Sequence, residues 1–336
     1  MDENKKLTVS ISPHIRDSVS IPKIMYSVIG ALCPAWIAGI YFFGPRAAWL
    51  TLLSIAAAVL TEWIIQKLRK IPISVGDGSA ILTGMLLAFN LPPAVSWWIP
   101  VVGSAFAIGI GKQVFGGLGY NPMNPALIGR AFLLASWPLQ MTTKWLVPRG
   151  GTLSGTDGVS SATPLAILKD AHKVLADFDA FPADKVVQAT DLLSKLPSSY
   201  ADLFWGRVGG CLGETSVIIL LIGAAYLMYK GYVDWRIPSG YIGTVIVLTW
   251  MFGGSHPLFH VLAGGLILGA FFMATDMVTS PLTPAGKGLF GIGCGILTVV
   301  IRLVGGYPEG VSYSILLMNL TVPLIDRFTR PKVFGG

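Results

Sequence analysis

Two short polar stretches stand out in an otherwise apolar chain. The first, DGVSSATPL at residues 157–165, places the hydroxyl of Thr163 after a run of small residues. Gly158 permits backbone conformations that other residues avoid, and Ser160, Ser161 and Ala162 leave the Thr163 hydroxyl unobstructed, as a modifying enzyme requires. The same residues also read as a helix start, because a Ser or Thr followed by proline and the apolar run of PLAILKDAHKVL is an ordinary N-cap with Pro at the first helical position. The two readings are compatible, since a phosphate at a helix N-terminus meets free N–H groups and the positive end of the helix dipole.

The second stretch, GYNPMNPALIGRAF, sets Asn121 and Asn124 three apart at the start of a short apolar segment. A helix would present both on one face, and a carboxamide offers both donors and an acceptor to the polar edge of a ring. The alternative is that two asparagines and two prolines only shape a tight helix entrance. Lys112, Arg130, Asp276 and Arg302 fall inside apolar segments. A charge at mid-membrane costs at least about 2.5–3.5 kcal/mol, so each is a functional candidate unless it sits at the interface.

Other chemistry is poorly represented. His14, His172, His256 and His260 form no metal set; His256 and His260 are four apart but lack an H-E-x-x-H pattern or a nearby third ligand. Cys33, Cys211 and Cys294 stand far apart, so no C-x-x-C pair exists and each reads as a small buried residue. No Walker loop is present.

The elements that must position these residues are membrane helices. Of the 336 residues, 53% are hydrophobic and only 12% charged, with mean hydropathy +0.67, against roughly 25% charged in soluble domains. The net charge of +7 is scattered at segment ends, as in QKLRK at 66–70 and DRFTRPK at 326–332, which is the positive-inside pattern rather than a nucleic-acid surface. Candidate spans fall at 22–43, 47–65, 77–91, 96–115, 122–137, 210–229, 236–253, 258–275, 286–304 and 309–325. The third and fifth are short and bounded by Gly and Pro, as half-length or broken helices that line a site.

These spans predict an all-α integral membrane fold of about ten transmembrane helices. A cytoplasmic segment at 1–21 leads into a first five-helix repeat at 22–137, followed by an extracytoplasmic insertion at 138–209. A second five-helix repeat at 210–326 and a cytoplasmic tail at 327–336 complete the chain. No signal peptide is apparent, and both termini are expected in the cytoplasm. Two halves of five spans each point opposite ways, an inverted repeat. DGSAILTGMLLAFN (77–90) and AGGLILGAFFMATD (263–276) share four identities in fourteen positions and end on Asn90 and Asp276, and FGGLGYNP (115–122) is echoed by VGGYPEG (304–310). Asn90 and Asp276 are thereby candidates for a cation path.

Four motifs in order, SPHIRDSVSIPKIMYSVIGALCPAW, GLGYNPMNPALIGRAFLLASWP, the Asp-Gly-x-Ser-x-Ala-Thr stretch and FFMATDMVTSPLTPAGKGLFGIGCG, resemble the RnfD subunits of Rnf electron-transport complexes, relatives of NqrB. The resemblance runs from about residue 12 to 326. It implies FMN joined by a phosphoester to Thr163, with Ala162 matching the small residue before it, Asp157 the acid upstream and Ser161 standing where the family has glycine. It implies a second, non-covalent flavin, riboflavin, near Asn121 and Asn124. It also implies an assembly with other Rnf subunits, among them a second covalent-flavin subunit and iron–sulfur subunits, and a flavin transferase for maturation. The expected role is electron relay across a bacterial or archaeal cytoplasmic membrane coupled to Na⁺ or H⁺ movement, with the flavin loop outside. An inverted repeat with broken helices would equally suit a urea- or ammonium-type pore; a scaffold without flavins is a third reading.

Overall fold

A computed structural model describes residues 19–146, 148, 163–176, 182–195, 199–214, 216–252, 256–306 and 309–331. Asp157, Gly158, Ser160, Ser161, Ala162 and His14, most of the N-terminal segment and the end of the tail lie outside the described residues. Among the described residues the chain is helical, with no strand.

Among the described residues, three helices are long and apolar enough to cross a membrane: α1 (Ile21–Phe43), α2 (Pro45–Leu68) and α14 (Pro284–Leu303). At 1.5 Å per residue, 20 to 24 residues reach about 30–36 Å, the thickness of a hydrocarbon core. By contrast α3 (Ser79–Phe89) has 11 residues and α5 (Pro125–Ser136) has 12, about half that distance. The Gly and Pro boundaries that marked these segments as short are borne out. α4 (Trp98–Ile108) runs into a π-helical stretch, Gly109–Gln113.

Among its described residues the insertion contains four helices, α6 (Pro138–Thr142), α7 (Pro164–Ala176), α8 (Ala183–Lys195) and α9 (Ser199–Trp205). The expected span at 210–229 is helical only from α10 (Val217–Tyr229). The glycine-rich approach before it is a buried loop that bonds to the end of α3 and the residues just after it: Leu212 N–H donates to the Leu91 carbonyl at 3.1 Å and Gly213 N–H to that of Phe89 at 2.9 Å.

After α11 (Arg236–Phe252), the expected continuous span at 258–275 is broken. α12 (Pro257–Leu262) stops, and the chain restarts as α13 (Leu266–Leu268) leading into a second π-helical stretch, Gly269–Met273. The cause is local. Gly264 and Gly265 take φ of +71° and +65°, a left-handed backbone that glycine tolerates best. Gly78, which precedes α3, has φ +81°, so the two stretches aligned in sequence start alike. α15 (Val311–Phe328) completes the fold.

Turns gather at the two ends of this helix array. At one end Arg46 Nη2 donates to the Val95 carbonyl at 2.9 Å, and Ala94 N–H donates to the Lys144 carbonyl at 3.2 Å. At the other end of α2, the Arg69 guanidinium donates to the Gln113 carbonyl at 2.6 Å, and the Tyr26 hydroxyl to that of Gly76 at 3.3 Å. The two sequence halves share one apolar core, in which Leu87, Leu127, Tyr241 and Phe290 are fully buried.

Candidate functional site

Thr163 stands immediately before α7, with Pro164 at its first position. Its Oγ accepts the Ala166 N–H at 3.3 Å and its carbonyl accepts the Ile167 N–H at 3.0 Å, so the N-cap reading holds. The residue is buried, 5% exposed, where an unobstructed hydroxyl was expected. It faces a cavity of about 310 Å³ walled by Arg130, Trp145, Glu309 and Tyr313, within the ~300–1,000 Å³ range of small-molecule pockets. α7 is tied down on the same side, where Lys169 Nζ donates to the Gly305 carbonyl.

Arg130 of α5 is the hub beneath this cavity. Its Nη1 donates to Asn90 Oδ1 at 2.8 Å and to Ser312 Oγ at 2.9 Å, and its Nη2 pairs with Glu309. Asn90, at the end of α3, reaches Met273 Sδ at 3.6 Å, and Asn124 Nδ2 donates to the Met273 carbonyl at 3.4 Å. A thread of polar contacts therefore runs from the Thr163 cavity through the middle of the protein to Asn124.

Next to Arg130 lies a cluster that the sequence did not single out. Ligand atoms of Cys211, Glu214 and Glu309 come within 4.8 Å of one another. Cys211 N–H donates to Glu214 Oε2 at 3.3 Å, and its thiol to the Asn90 carbonyl at 3.4 Å. Arg130 already occupies Glu309, so the cluster holds two carboxylates against one neighbouring cation. Glu214 also lies against Gly265, where an anion suits the start of α13. Arg302 completes the helix break, donating to the carbonyls of His260, Ala263 (3.1 Å) and Gly264 (3.4 Å). Its role is to satisfy the end of α12, which accounts for a buried charge flagged as functional.

Asn121 and Asn124 both line a second cavity, but α5 begins only at Pro125, so Asn121 lies in the preceding loop and the two do not share a helical face. Asn124 is the N-cap of α5, its Oδ1 accepting the Ala126 N–H at 3.0 Å. Asn121 is 4% exposed, and its Oδ1 accepts nothing among the described residues. Ser79, Thr83, Lys112 and Asp276 share this cavity, and Phe271 and Phe272 supply apolar walls. Asp276 accepts the Thr279 hydroxyl at 3.1 Å. The structure thus joins Asp276 to the asparagine pair and sends Asn90 to Arg130.

An orphaned carbonyl oxygen, several hydroxyls and flat aromatic walls fit the polar edge and face of an isoalloxazine ring. The cavity encloses about 80 Å³, room for a few waters at ~30 Å³ each, so a three-ring ligand requires the surrounding helices to part.

Lys112, flagged as an intramembrane charge, is paired with Glu62 of α2 at 2.7 Å, the two being 1% and 0% exposed. His256 accepts or donates at Tyr200 (3.2 Å), and His260 is buried in α12. The acids the sequence reading missed, Glu62, Glu214 and Glu309, have partners 50 or more residues away or beside glycine turns. Their one sequence signal is a carboxylate inside or at the edge of an apolar run, as in VLTEWII and LGETSVII.

Residues 8–335 match the model of the NQR2, RnfD, RnfE family. The D-type subunit of the Na⁺-translocating ferredoxin:NAD⁺ oxidoreductase complex of Acetobacterium woodii is 50% identical over 331 residues, covering 98% of this chain and 95% of the relative. The D-type subunit of the proton-translocating ferredoxin:NAD⁺ oxidoreductase complex of Clostridium ljungdahlii is 49% identical over 336 residues, covering 98% and 96%. The corresponding subunit of the ion-translocating oxidoreductase complex of Stutzerimonas stutzeri is 42% identical over 342 residues, covering 94% and 92%. The chain belongs to the NQR2, RnfD, RnfE family.

Proposed function

We propose that this chain is the D-type subunit of an ion-translocating ferredoxin:NAD⁺ oxidoreductase complex and relays electrons across a cytoplasmic membrane through two flavins. The observation that carries this reading is the Thr163 hydroxyl, placed at a helix N-terminus and on the wall of a cavity of about 310 Å³. FMN esterified to Thr163 would have its phosphate at the start of α7 and its ring system beside Trp145 and Tyr313. Riboflavin would lie against Asn121 and Asn124. A bound flavin supplies a centre that takes up and releases electrons.

The chain's own residues do the rest. Arg130, fixed by Asn90 and Ser312 and paired with Glu309, forms a rigid polar floor to the outer cavity. Trp145 and Leu134 contribute apolar surface that limits water. The inner cavity presents the Asn121 oxygen as an acceptor and Ser79 and Thr83 as hydroxyl partners. Carriers must be stationed along the path, because the ~30 Å hydrocarbon core is too thick for one efficient hop.

In this reading the chain crosses the membrane ten times as two inverted five-helix halves, the broken α12–α13 unit being one crossing. Both termini are cytoplasmic and the insertion lies outside. Partners are the other Rnf subunits, including a second covalent-flavin subunit and iron–sulfur subunits, with a flavin transferase acting on Thr163. The similar identities to Na⁺- and proton-translocating relatives leave the ion to be measured. None of these relatives favours the solute-pore alternative.

The test is flavin accounting. Chain produced with a flavin transferase and run on a denaturing gel should fluoresce under ultraviolet light, and Thr163→Val should abolish the band; a dark wild-type band sinks the covalent site. Asn121→Ala should remove only the extractable riboflavin. Retention of all riboflavin would reject the inner site.

A further inference from the structure

The Thr163 hydroxyl is a poor target for an enzyme where it stands. The residue is 5% exposed, and its Oγ already caps α7 by accepting the Ala166 N–H at 3.3 Å. Thr163 and Ala166 together belong to one wall of the outer cavity. That cavity, about 310 Å³, lies at the low end of the ~300–1,000 Å³ range for a single small ligand. It has no space for a flavin donor, its leaving group and the catalytic groups of a transferase at once.

The seat of α7 is separate from the main core. Leu165, Leu168 and Ala171, spaced three apart along one helical face, are buried, whereas Asp170, His172 and Lys173 are exposed. Leu165 and Leu168 join Leu203 of α9 with Phe259 and Ala263 of α12 in a small cluster distinct from the one that unites the membrane helices. Leu165 rests on the helix break itself, since a Cβ built on Gly264 would fall on Leu165 Cδ1. Lys169 adds its bond to the Gly305 carbonyl. A small cluster of this kind opens locally at less cost than unfolding the whole molecule.

We propose that α7 lifts from this seat for Thr163 to be modified, and that the return of Leu165 to Gly264 closes the outer cavity over the attached group. This rests on the reading that Thr163 carries FMN. Lifting α7 frees the hydroxyl from burial and opens the cavity in one movement, because Thr163 and Ala166 are part of its wall. In the lifted state Thr163 Oγ bonds to the flavin-side phosphorus of a flavin dinucleotide as the bond from that phosphorus to the leaving nucleotide breaks. The hydroxyl proton passes to a base of the transferase, and no electrons change hands. Leu165 and Gly264 are positioning residues, acting on the site through Thr163. Where opening and closing are fast, the rate of reaction follows the open population, so a weaker seat gives faster attachment.

The experiment takes the full-length chain from a host without flavin transferase, solubilised in detergent, and adds purified transferase with a flavin dinucleotide as donor. In-gel flavin fluorescence gives the rate of attachment. Phe259→Ala and Leu203→Ala weaken the seat from α12 and α9, far in sequence from the residues around Thr163. Cutting a large side chain from a packed cluster loosens it substantially, so each should speed attachment about tenfold or more, with tryptophan fluorescence confirming an intact fold. A general structural defect would slow the reaction, not speed it. Hydrogen exchange tests the same opening without a mutation: the Ala166 and Ile167 N–H groups, both bonded to Thr163, should exchange faster than those of α3. Once attached, the flavin should be quenched by iodide more in the two variants than in wild type. Attachment at the wild-type rate or slower in the folded variants, or Ala166 and Ile167 amides as protected as those of α3, overturns the lifting of α7. Flavin on no chain at all overturns the covalent-flavin reading instead.

Discussion

Replacing Lys112 by methionine tests whether the buried pair with Glu62 is integral to the fold. The Lys112 ammonium makes three close contacts, at 2.7 and 3.0 Å to Glu62 and 2.5 Å to Ser79, and both charged side chains are essentially inaccessible. Methionine preserves much of the volume but leaves the Glu62 carboxylate without a counter-charge. Breaking a buried pair from one side costs about 3–5 kcal/mol, or roughly 10²- to over 10³-fold in the folded-to-unfolded ratio. Neutralising both partners, Glu62→Gln with Lys112→Met, should return most of that loss, giving a coupling of about 2 kcal/mol or more in a double-mutant cycle. The assay is the unfolding midpoint and half-life of the detergent-solubilised chain, read by tryptophan fluorescence. A single variant as stable as wild type, or a double variant that is simply the sum of two losses, would refute the reasoning.

Two further effects follow from packing and charge. At the α11–α14 contact a methyl placed on Gly291 would fall on the Ile237 carbonyl oxygen, whereas one placed on Gly243 meets nothing within 4 Å. Gly291→Ala should therefore destabilise by about 1–3 kcal/mol and Gly243→Ala should be neutral or stabilising by up to about 1 kcal/mol, both read by thermal unfolding. Burial pushes the Asp234 carboxyl up, but the Arg236 N–H and the Lys287 and Arg236 side chains outweigh it and hold the group below the usual aspartate range. A depressed acid stabilises the fold above its unfolded pKa of about 3.9, and that contribution is lost as pH falls through the folded value. Asp234→Asn should lower stability at neutral pH and flatten the loss on the acid side; an unchanged acid limb would contradict the assignment.

Much of the site was legible where chemistry is local. Thr163–Pro164 and Asn124–Pro125 both read as helix starts, because a cap and its proline are neighbours in sequence, and both are found there. The Gly and Pro borders of 77–91 and 122–137 likewise announced the short α3 and α5. Hydropathy windows were blind to two things. They averaged over the glycine pair at 264–265, so a broken helix read as continuous. They also hid Glu62 inside VLTEWII, because its meaning depends on Lys112, 50 residues on. Glu214 and Glu309 were missed for the same reason: each acquires a role only when folding brings it to Arg130 or Gly265. Arg302 was flagged for its charge, and three backbone carbonyls explain it.

The central claim is that this chain carries a flavin on one named atom. Peptide mass spectrometry of the chain purified from a host with flavin transferase, with Thr163→Val processed in parallel, measures it most directly. The account predicts an FMN phosphoester on the peptide containing Thr163 and its complete loss in the variant. An unmodified Thr163 peptide, or a flavin attached at another residue, would contradict it.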